Sequence, residues 1–260
     1  MSEMAKGPDA RPGTTAMVLG AGYGQRMRPL TETRPKPMVE LLGQPLIDRI
    51  LDRLHAHGVE TAVVNTHYLG DQLETHLAAR TAPRVRISRE PDRPLDTGGG
   101  VTAALDLLGD RPFYALNGDV FWLDGYVPAL KRLADAWDPE RMDALLLVAR
   151  TSDAIGYAGL GDFMIDIEGR ARRRQELEVA PFAFTGIQIL HPRLFKYAPD
   201  GPFSLNLLYD QAEAGGRLFA LPHDGMWFHL STPHDLLTAE GELTEMGFRD
   251  PRIESAPPTC

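Results

Sequence analysis

The sequence predicts an α/β protein of one domain, built on a doubly wound and mainly parallel sheet. Three observations predict it. The chain has 260 residues with 43% hydrophobic and 24% charged side chains, enough apolar material for one large core and too much for a disordered chain. Short apolar runs that end in glycine or polar residues alternate with stretches of helical spacing, four of the former and three of the latter between residues 16 and 119. No linker, low-complexity block or internal repeat interrupts them, so the second half is expected to extend the same sheet and form one wall of a cleft.

The first elements follow in order. "MSEMAKGPDARPGTT" contains no apolar run, so residues 1–14 are expected to be a flexible tail and not a secretory signal. "AMVLGA" (16–21) is a strand that breaks at glycine. In "PLIDRILDRLHAHGV" (45–59), Leu46, Ile47, Ile50, Leu51 and Leu54 recur at helical spacing, and Gly58 is the stop. Then come strand "TAVVNT" (61–66), helix "LGDQLETHLAAR", strand "RVRIS", helix "GGVTAALDLLG" and strand "FYALNGD". Beyond residue 143 the pattern loosens: "DALLLVAR" and "FAFTGIQIL" predict strands, "GYAGLGDFMIDIEGRARRR" short strands around turns, and 203–214 and 233–246 helices. The domain is placed at 15–246 and a C-terminal tail at 247–260. In such sheets ligands gather at the carboxyl ends of the strands, which directs attention to the loops there.

Charge and cysteine usage exclude several classes. A formal net charge of -9 argues against a nucleic-acid-coating surface, and no run approaches a membrane span. Cys260 is the only cysteine, so no intramolecular disulfide can form; a reducing, cytoplasmic setting is expected. His55 and His57 stand two apart on a helix and face apart, so they make no zinc site.

Three stretches carry chemistry. "GAGYGQRMRPLTETRPKP" (20–37) follows the first strand with Gly20, Gly22 and Gly24, then carries a local charge of +3 on Arg26, Arg28, Arg34 and Lys36 against Glu32. A dinucleotide fingerprint would need glycine where Gln25 stands, and a Walker loop would need a lysine directly after the glycines. What remains is a loop whose amides can approach phosphates, followed by cations on a segment stiffened by Pro29, Pro35 and Pro37, which suits a triphosphate. The chain has four lysines beside 23 arginines, so Lys36 between two prolines is not the habitual cation. In "LDTGGGVTAALDLLG" (95–109), Gly98, Gly99 and Gly100 open a helix at a cost of about 1 kcal/mol each; either Asp96 or Thr97 caps a turn there, or the backbone approaches a base or sugar. "ALNGDVFW" (115–122) ends a strand on Asp119, well placed to hold Mg²⁺ that also touches phosphates.

Together these stretches resemble the sugar-1-phosphate nucleotidyltransferases. The opening loop is similar to that family's G-x-G-x-R-[ML]-x-P-L-T and P-K-P pattern, "LNGDV" to its metal-binding strand end, and "GMWFHLSTPHDLLTAE" (225–240) to its late W-x-D-[IV]-G-T-P element. The resemblance implies a Rossmann-like mixed sheet of the GT-A-like type, with a nucleotide-binding half (about 15–125) and a sugar-binding half (about 126–246). Within the family, "LDTGGG", "FTGIQILHP" and "FSLNLLYD" are most similar to the N-acetylmuramate-1-phosphate uridylyltransferases, then to mannose-1-phosphate guanylyltransferases and glucose-1-phosphate nucleotidyltransferases.

Carried over, Gly20, Ala21, Gly22 and Gly24 would line the nucleotide, Arg26 would bind the departing β,γ-phosphates and Lys36 would bridge nucleotide and sugar phosphate. Thr97, Gly98 and Gly99 would sit by the base and ribose, Asp119 would hold Mg²⁺, and Gly156, Glu176, Thr185 and Gly186 would contact the sugar. The implied reaction is attack of a sugar 1-phosphate on the α-phosphorus of a nucleoside triphosphate, with pyrophosphate leaving, in a cytoplasmic monomer or homodimer and, for N-acetylmuramate, within peptidoglycan recycling. Two departures accompany the likeness. His229 stands where a second metal-binding aspartate is usual, with Ser231 for glycine, which points to Mg²⁺ on Asp119 alone or to a softer ion such as Mn²⁺ or Co²⁺; a nucleotide-sugar-binding protein of weakened catalysis is the competing expectation. The family's lysine for the sugar phosphate has no counterpart near "GRARRRQELE", where Arg173 or Arg174 would stand in.

Overall fold

A computed structural model describes residues 12–248; apart from residues 12–14 and 247–248, the two expected tails lie outside the described residues, as does Cys260. Thirteen strands and seven α-helices follow in the described chain. The first half contains β1 (Thr15–Leu19), the two-residue strands β2 (Glu40–Leu41) and β3 (Gln44–Pro45), α1 (Leu46–Ala56), β4 (Thr61–Thr66), α2 (Gly70–Ala78), β5 (Arg84–Arg89), α3 (Asp96–Ala103), α4 (Leu105–Leu108), β6 (Phe113–Asn117) and β7 (Phe121–Leu123). The second half contains α5 (Ala129–Ala136), β8 (Ala144–Arg150), β9 (Phe163–Ile165), β10 (Ala171–Arg173), β11 (Phe182–Leu190), α6 (Asn206–Ala214), β12 (Leu218–Pro222), β13 (Met226–Phe228) and α7 (Pro233–Glu245).

Nine strands form one mixed sheet. β5, β4, β1 and β6 lie side by side and parallel, β11 runs antiparallel to β6 and to β8, and β12 is parallel to β8. The β9–β10 ribbon joins β11 at Phe182. The sheet expected from alternation alone was parallel; β11 runs antiparallel to β8 because only the β9–β10 ribbon and turns, and no crossover helix, lie between them.

Side-chain alternation shows why both faces are covered. Ala16 and Val18 point into one core with Ile47, Ile50, Leu54, Leu73 and Leu133, which the amphipathic faces of α1, α2 and α5 supply. Met17 points into a second core with Val101, Leu108, Leu208 and Tyr209 from α3, α4 and α6. β4, β6 and β8 divide their residues in the same way, so these strands are apolar at successive positions, as strands buried on both faces must be. A third, smaller core sits at the strand ends, where Met27, Val39 and Leu41 meet Phe121, Phe228, Leu236 and Leu243. It fastens the cationic loop to β7, β13 and α7.

The order of strands reverses direction at β1: β4 and β5 lie on one side of it and β6 on the other. Register aligns the carboxyl ends there, with Leu19 opposite both Asn65 and Asn117. A crevice at such a reversal is the expected place for a ligand.

Candidate active site

Residues at that crevice enclose a cleft of about 610 Å³. One end is formed where β6 runs out into Asn117, Gly118 and Asp119; the floor is Leu19, Gly20, Ala21, Gly22 and Gly24; the far wall holds Asn65, Glu90, Pro94, Asp96 and Thr97. From the β6 end to the β5 end is three strand spacings, roughly 14 Å at about 4.8 Å each. A nucleotide can lie along it with its phosphates at one end and its base at the other.

Main-chain contacts fix the glycine loop. The Gly20 N–H donates to Asn65 Oδ1 at 2.7 Å, Asn65 Nδ2 donates to Glu90 Oε1 at 2.6 Å, and Glu90 Oε2 accepts the Leu95 N–H at 2.7 Å. Glu90 is only 3% exposed, so this chain of bonds is insulated from water. Gly24 has a left-handed backbone (φ +61°), and its carbonyl accepts the Thr31 hydroxyl at 2.8 Å. That turn starts the short helix Gln25–Met27, whose Met27 is fully buried while its neighbours Arg26 and Arg28 stay exposed.

Of the four cations expected on this loop, Arg26 and Lys36 line the cleft. Arg34 pairs instead with Glu40 at 3.4 Å, and Arg28 lies outside the lining. Lys36 forms an ion pair with Asp119, with the two side chains only 16% and 26% exposed. Glycine 118 makes this meeting possible. A Cβ there would stand 2.6 Å from the Leu19 carbonyl oxygen and 3.0 Å from the Pro37 ring, so only glycine lets the Pro35–Pro37 segment lie on the end of β6.

His229 is not part of the lining. It packs edge-on to Tyr157 (5.4 Å between centroids) and against Trp227 (5.6 Å). Burial holds its imidazole below the ordinary value; Asp235 and Asp119 oppose the shift, and Arg26 and Lys36 reinforce it. The imidazole therefore lies within electrostatic reach of the Arg26, Lys36 and Asp119 cluster and is neutral at neutral pH. Asp235 serves another purpose: it caps α7, accepting the N–H groups of Ser231 (3.0 Å) and Thr232 (2.8 Å) while the Thr232 hydroxyl accepts from Asp235 N. Among the described residues, no group of three or more His, Cys, Asp and Glu side chains forms a metal cluster.

The chain matches the nucleotidyl transferase family over residues 15–176. This chain belongs to the nucleotidyltransferase family. The nucleotidyltransferase is 45% identical over 234 residues to the N-acetylmuramate α-1-phosphate uridylyltransferase of Caulobacter vibrioides, covering 88% of this chain and 97% of the relative. It is 33% identical to the enzyme of the same name from Neisseria meningitidis, over 84% and 93% of the two chains. A mannose-1-phosphate guanylyltransferase catalytic subunit beta of Danio rerio is 27% identical over 86% of this chain and 62% of its own. In fold, a UDP-glucose pyrophosphorylase complexed with UDP-glucose superimposes with a TM-score of 0.73 at 16% identity, over 89% of this chain and 98% of that one. No described helix is long and apolar enough to cross a membrane.

Within the nucleotidyltransferase the remaining expected residues are dispersed. Thr97 lines the cleft, and its Oγ1 accepts the Leu205 N–H at 2.9 Å, so neither it nor Asp96 caps α3 in the expected way; the helix begins at Asp96, whose own φ is +59°. Gly98 and Gly99 lie behind the wall and off its lining: both amides donate to the Phe203 carbonyl (2.8 and 3.2 Å), and a Cβ on Gly99 would stand 2.4 Å from Gly201 O. Close packing against 201–205 thus accounts for these glycines. Thr185 is buried, with its hydroxyl on the Leu147 carbonyl at 2.8 Å; Gly186 (φ +83°) sits at a bulge against Asn117 and Val120; Gly156 (φ +75°) passes His229 O. Glu176 lines a second pocket of about 520 Å³ with Arg173, Arg174, Phe184, Asn206 and Tyr209.

Sequence reasoning missed Asn65, Glu90 and Asn117 as parts of the cleft. For the two asparagines the signal was present: in "TAVVNT" and "FYALN" a polar amide stands at or next to the end of an otherwise apolar strand, and a buried amide needs partners.

Proposed function

We propose that the protein transfers a uridylyl group from UTP to N-acetylmuramate 1-phosphate, releasing pyrophosphate, as a step of peptidoglycan recycling in the cytoplasm. The observation that carries the reading is the convergence of the glycine floor, Arg26, Lys36 and Asp119 at the β1–β6 crevice. Its extent of identity with the two uridylyltransferases supports the choice of substrates.

In this reading Gly20, Ala21, Gly22 and Gly24 seat the nucleotide, and Thr97 stands at its base and ribose end. Arg26 receives the charge of the departing β,γ-phosphates. Lys36, held between Pro35 and Pro37, bridges the α-phosphate and the attacking sugar phosphate, where its compact ammonium follows charge as it moves. No covalent intermediate is required: positioning and charge neutralisation carry an in-line displacement. Gly156, Glu176, Thr185 and Gly186 belong to the sugar side, Thr185 and Gly186 by shaping β11 where it passes the end of β6.

A divalent ion, when bound, would supply charge neutralisation and a template for the phosphates. Asp119 fits the role of its protein ligand, since Mg²⁺ takes one or two carboxylates and completes its shell with phosphate and water. Neutral His229 offers a nitrogen donor near the same place, which would favour Mn²⁺ or Co²⁺ over Mg²⁺ if it bound.

A pyrophosphate-release assay with UTP and GTP crossed against the 1-phosphates of N-acetylmuramate, glucose and mannose, with Mg²⁺ or Mn²⁺, tests the proposal. UTP with N-acetylmuramate 1-phosphate is expected to give the highest kcat/KM. A preference for GTP with mannose 1-phosphate would replace this reading with that of the guanylyltransferases, and no turnover with any pair would leave a binding protein.

A further inference from the structure

Three consecutive arginines at the end of β10 have different partners. Arg172 meets Glu178 in two parallel contacts, Nη1 to Oε2 at 2.8 Å and Nη2 to Oε1 at 3.0 Å. Arg173 pairs with Asp210 at 2.5 Å. Arg174 has no carboxylate partner among the described residues. Its Nη1 donates instead to the main-chain carbonyls of Gln175 (3.1 Å), Glu176 (3.1 Å) and Glu178 (3.4 Å), which hold the guanidinium in place without neutralising it. Its Nε and Nη2 make no hydrogen bond among the described residues, and they form the edge that matches a carboxylate.

This half-buried cation lines the second pocket, of about 520 Å³. The pocket's own carboxylates do not meet it: Asp162 Oδ2 accepts the Phe184 N–H at 2.8 Å, and Glu176 forms no ion pair among the described residues. The pocket thus holds one fixed guanidinium beside two carboxylates without ion-pair partners among the described residues, and what it offers an anion is the free Nε–Nη2 edge of Arg174 and not a net positive field.

The pocket adjoins the cleft by two routes. Asn206 of its lining directly follows Leu205, which is bonded to Thr97 on the cleft wall. On the other side Arg174 acts electrostatically on Tyr157, Tyr157 meets His229 edge-on, and His229 senses Arg26, Lys36 and Asp119. Tyr157 and His229 thus stand between Arg174 and the Lys36–Asp119 end of the cleft.

Resting on the uridylyl transfer proposed above, we infer that Arg174 recognises the lactyl carboxylate of the acceptor, the group that distinguishes N-acetylmuramate from N-acetylglucosamine. Arg174 then acts on acceptor choice and not on the transfer itself.

The test compares N-acetylmuramate 1-phosphate with its methyl ester at the lactyl carboxyl, which keeps the shape and removes the charge. In the wild-type protein the ester is expected to raise KM by about 10- to 100-fold, the range for a charge-assisted contact, with kcat and the KM for UTP little changed. Arg174→Ala is expected to lose that same factor against the acid and to treat acid and ester alike. Arg174→Lys should recover part of the loss for the acid only, and Arg170→Ala, which removes a cation from the same ribbon but off the pocket lining, should keep the wild-type acid-to-ester ratio. If Arg174→Ala keeps the wild-type ratio, the inference is overturned and the substrate assignment stands. A wild-type protein that uses neutral hexose 1-phosphates but not N-acetylmuramate 1-phosphate overturns the assignment and the inference together.

Discussion

The two halves of the sheet position side chains by different means. On the β1–β4–β6 side, main-chain geometry decides: Gly20 donates into Asn65, Gly118 admits Pro37, and Lys36 reaches Asp119 as a result. At the end of β10 and at the start of α7, side chains position one another, as in the Arg172–Glu178 and Arg173–Asp210 pairs and the Thr232–Asp235 cap. The first arrangement tolerates almost no substitution because a Cβ meets backbone. The second is built on exposed or half-exposed pairs, each worth little alone, and can be rewired more freely.

Changes in the first half should therefore hurt more, and in a specific order. Lys36→Met is expected to lower kcat by on the order of 10²-fold or more while leaving the fold intact, as for other donors aimed at developing charge. Steady-state kinetics with a melting curve decides it; a change below about threefold would remove Lys36 from the chemistry. Gly99→Ala should act on stability, since its Cβ would stand 2.4 Å from Gly201 O. Overpacking of this kind costs about 1–3 kcal/mol, a loss of several degrees in Tm for a domain of this size. If Tm holds, the 201–205 segment yields more readily than its bonds to Gly98 and Gly99 suggest.

Second-half changes should be milder. Thr232→Ala removes one side of the α7 capping box and is expected to cost about 1 kcal/mol by denaturant unfolding. A cost above that of Gly99→Ala would reverse the ranking of the halves. The smallest effect concerns pH. Burial, with help from Arg193, pushes His191 down from 6.5 to about 4. The unfolded chain then binds more protons than the folded one, so the contribution is present above pH 6.5 and is lost progressively as pH falls towards 4. The Nδ1 of His191 accepts the Arg193 N–H at 3.2 Å, which a protonated ring cannot do. His191→Asn keeps an acceptor and cannot titrate, so its Tm should fall less between pH 7 and pH 5; an unchanged slope would assign the acid sensitivity to His57, His223 or His229, which burial also lowers.

The same contrast explains what was legible. β4 and β11 were readable to the residue, and β8 to within one, because long apolar runs between polar ends leave one choice. The cleft cations Arg26 and Lys36 and the carboxylate Asp119 were legible because close main-chain approach demands Gly and Pro at fixed spacing. α5, β12 and β13 were not assigned in advance: each is short, and the apolar spacing of Leu130, Leu133 and Ala134 gains meaning only beside β8 and β11. The glycines at 98 and 99 were visible but ambiguous, since the segment that demands them lies a hundred residues later. Nor could Glu90 be singled out, as a buried carboxylate looks like any other until its partners are known.

Phe203, Leu205 and Asn206 belong to a party wall between two rooms. One face is tied to Gly98, Gly99 and Thr97 beside the nucleotide cleft, and the next residue along faces the pocket of Arg174. A substitution at Phe203 or Leu205 would therefore disturb both rooms at once, and its effect could not be assigned to either of them alone.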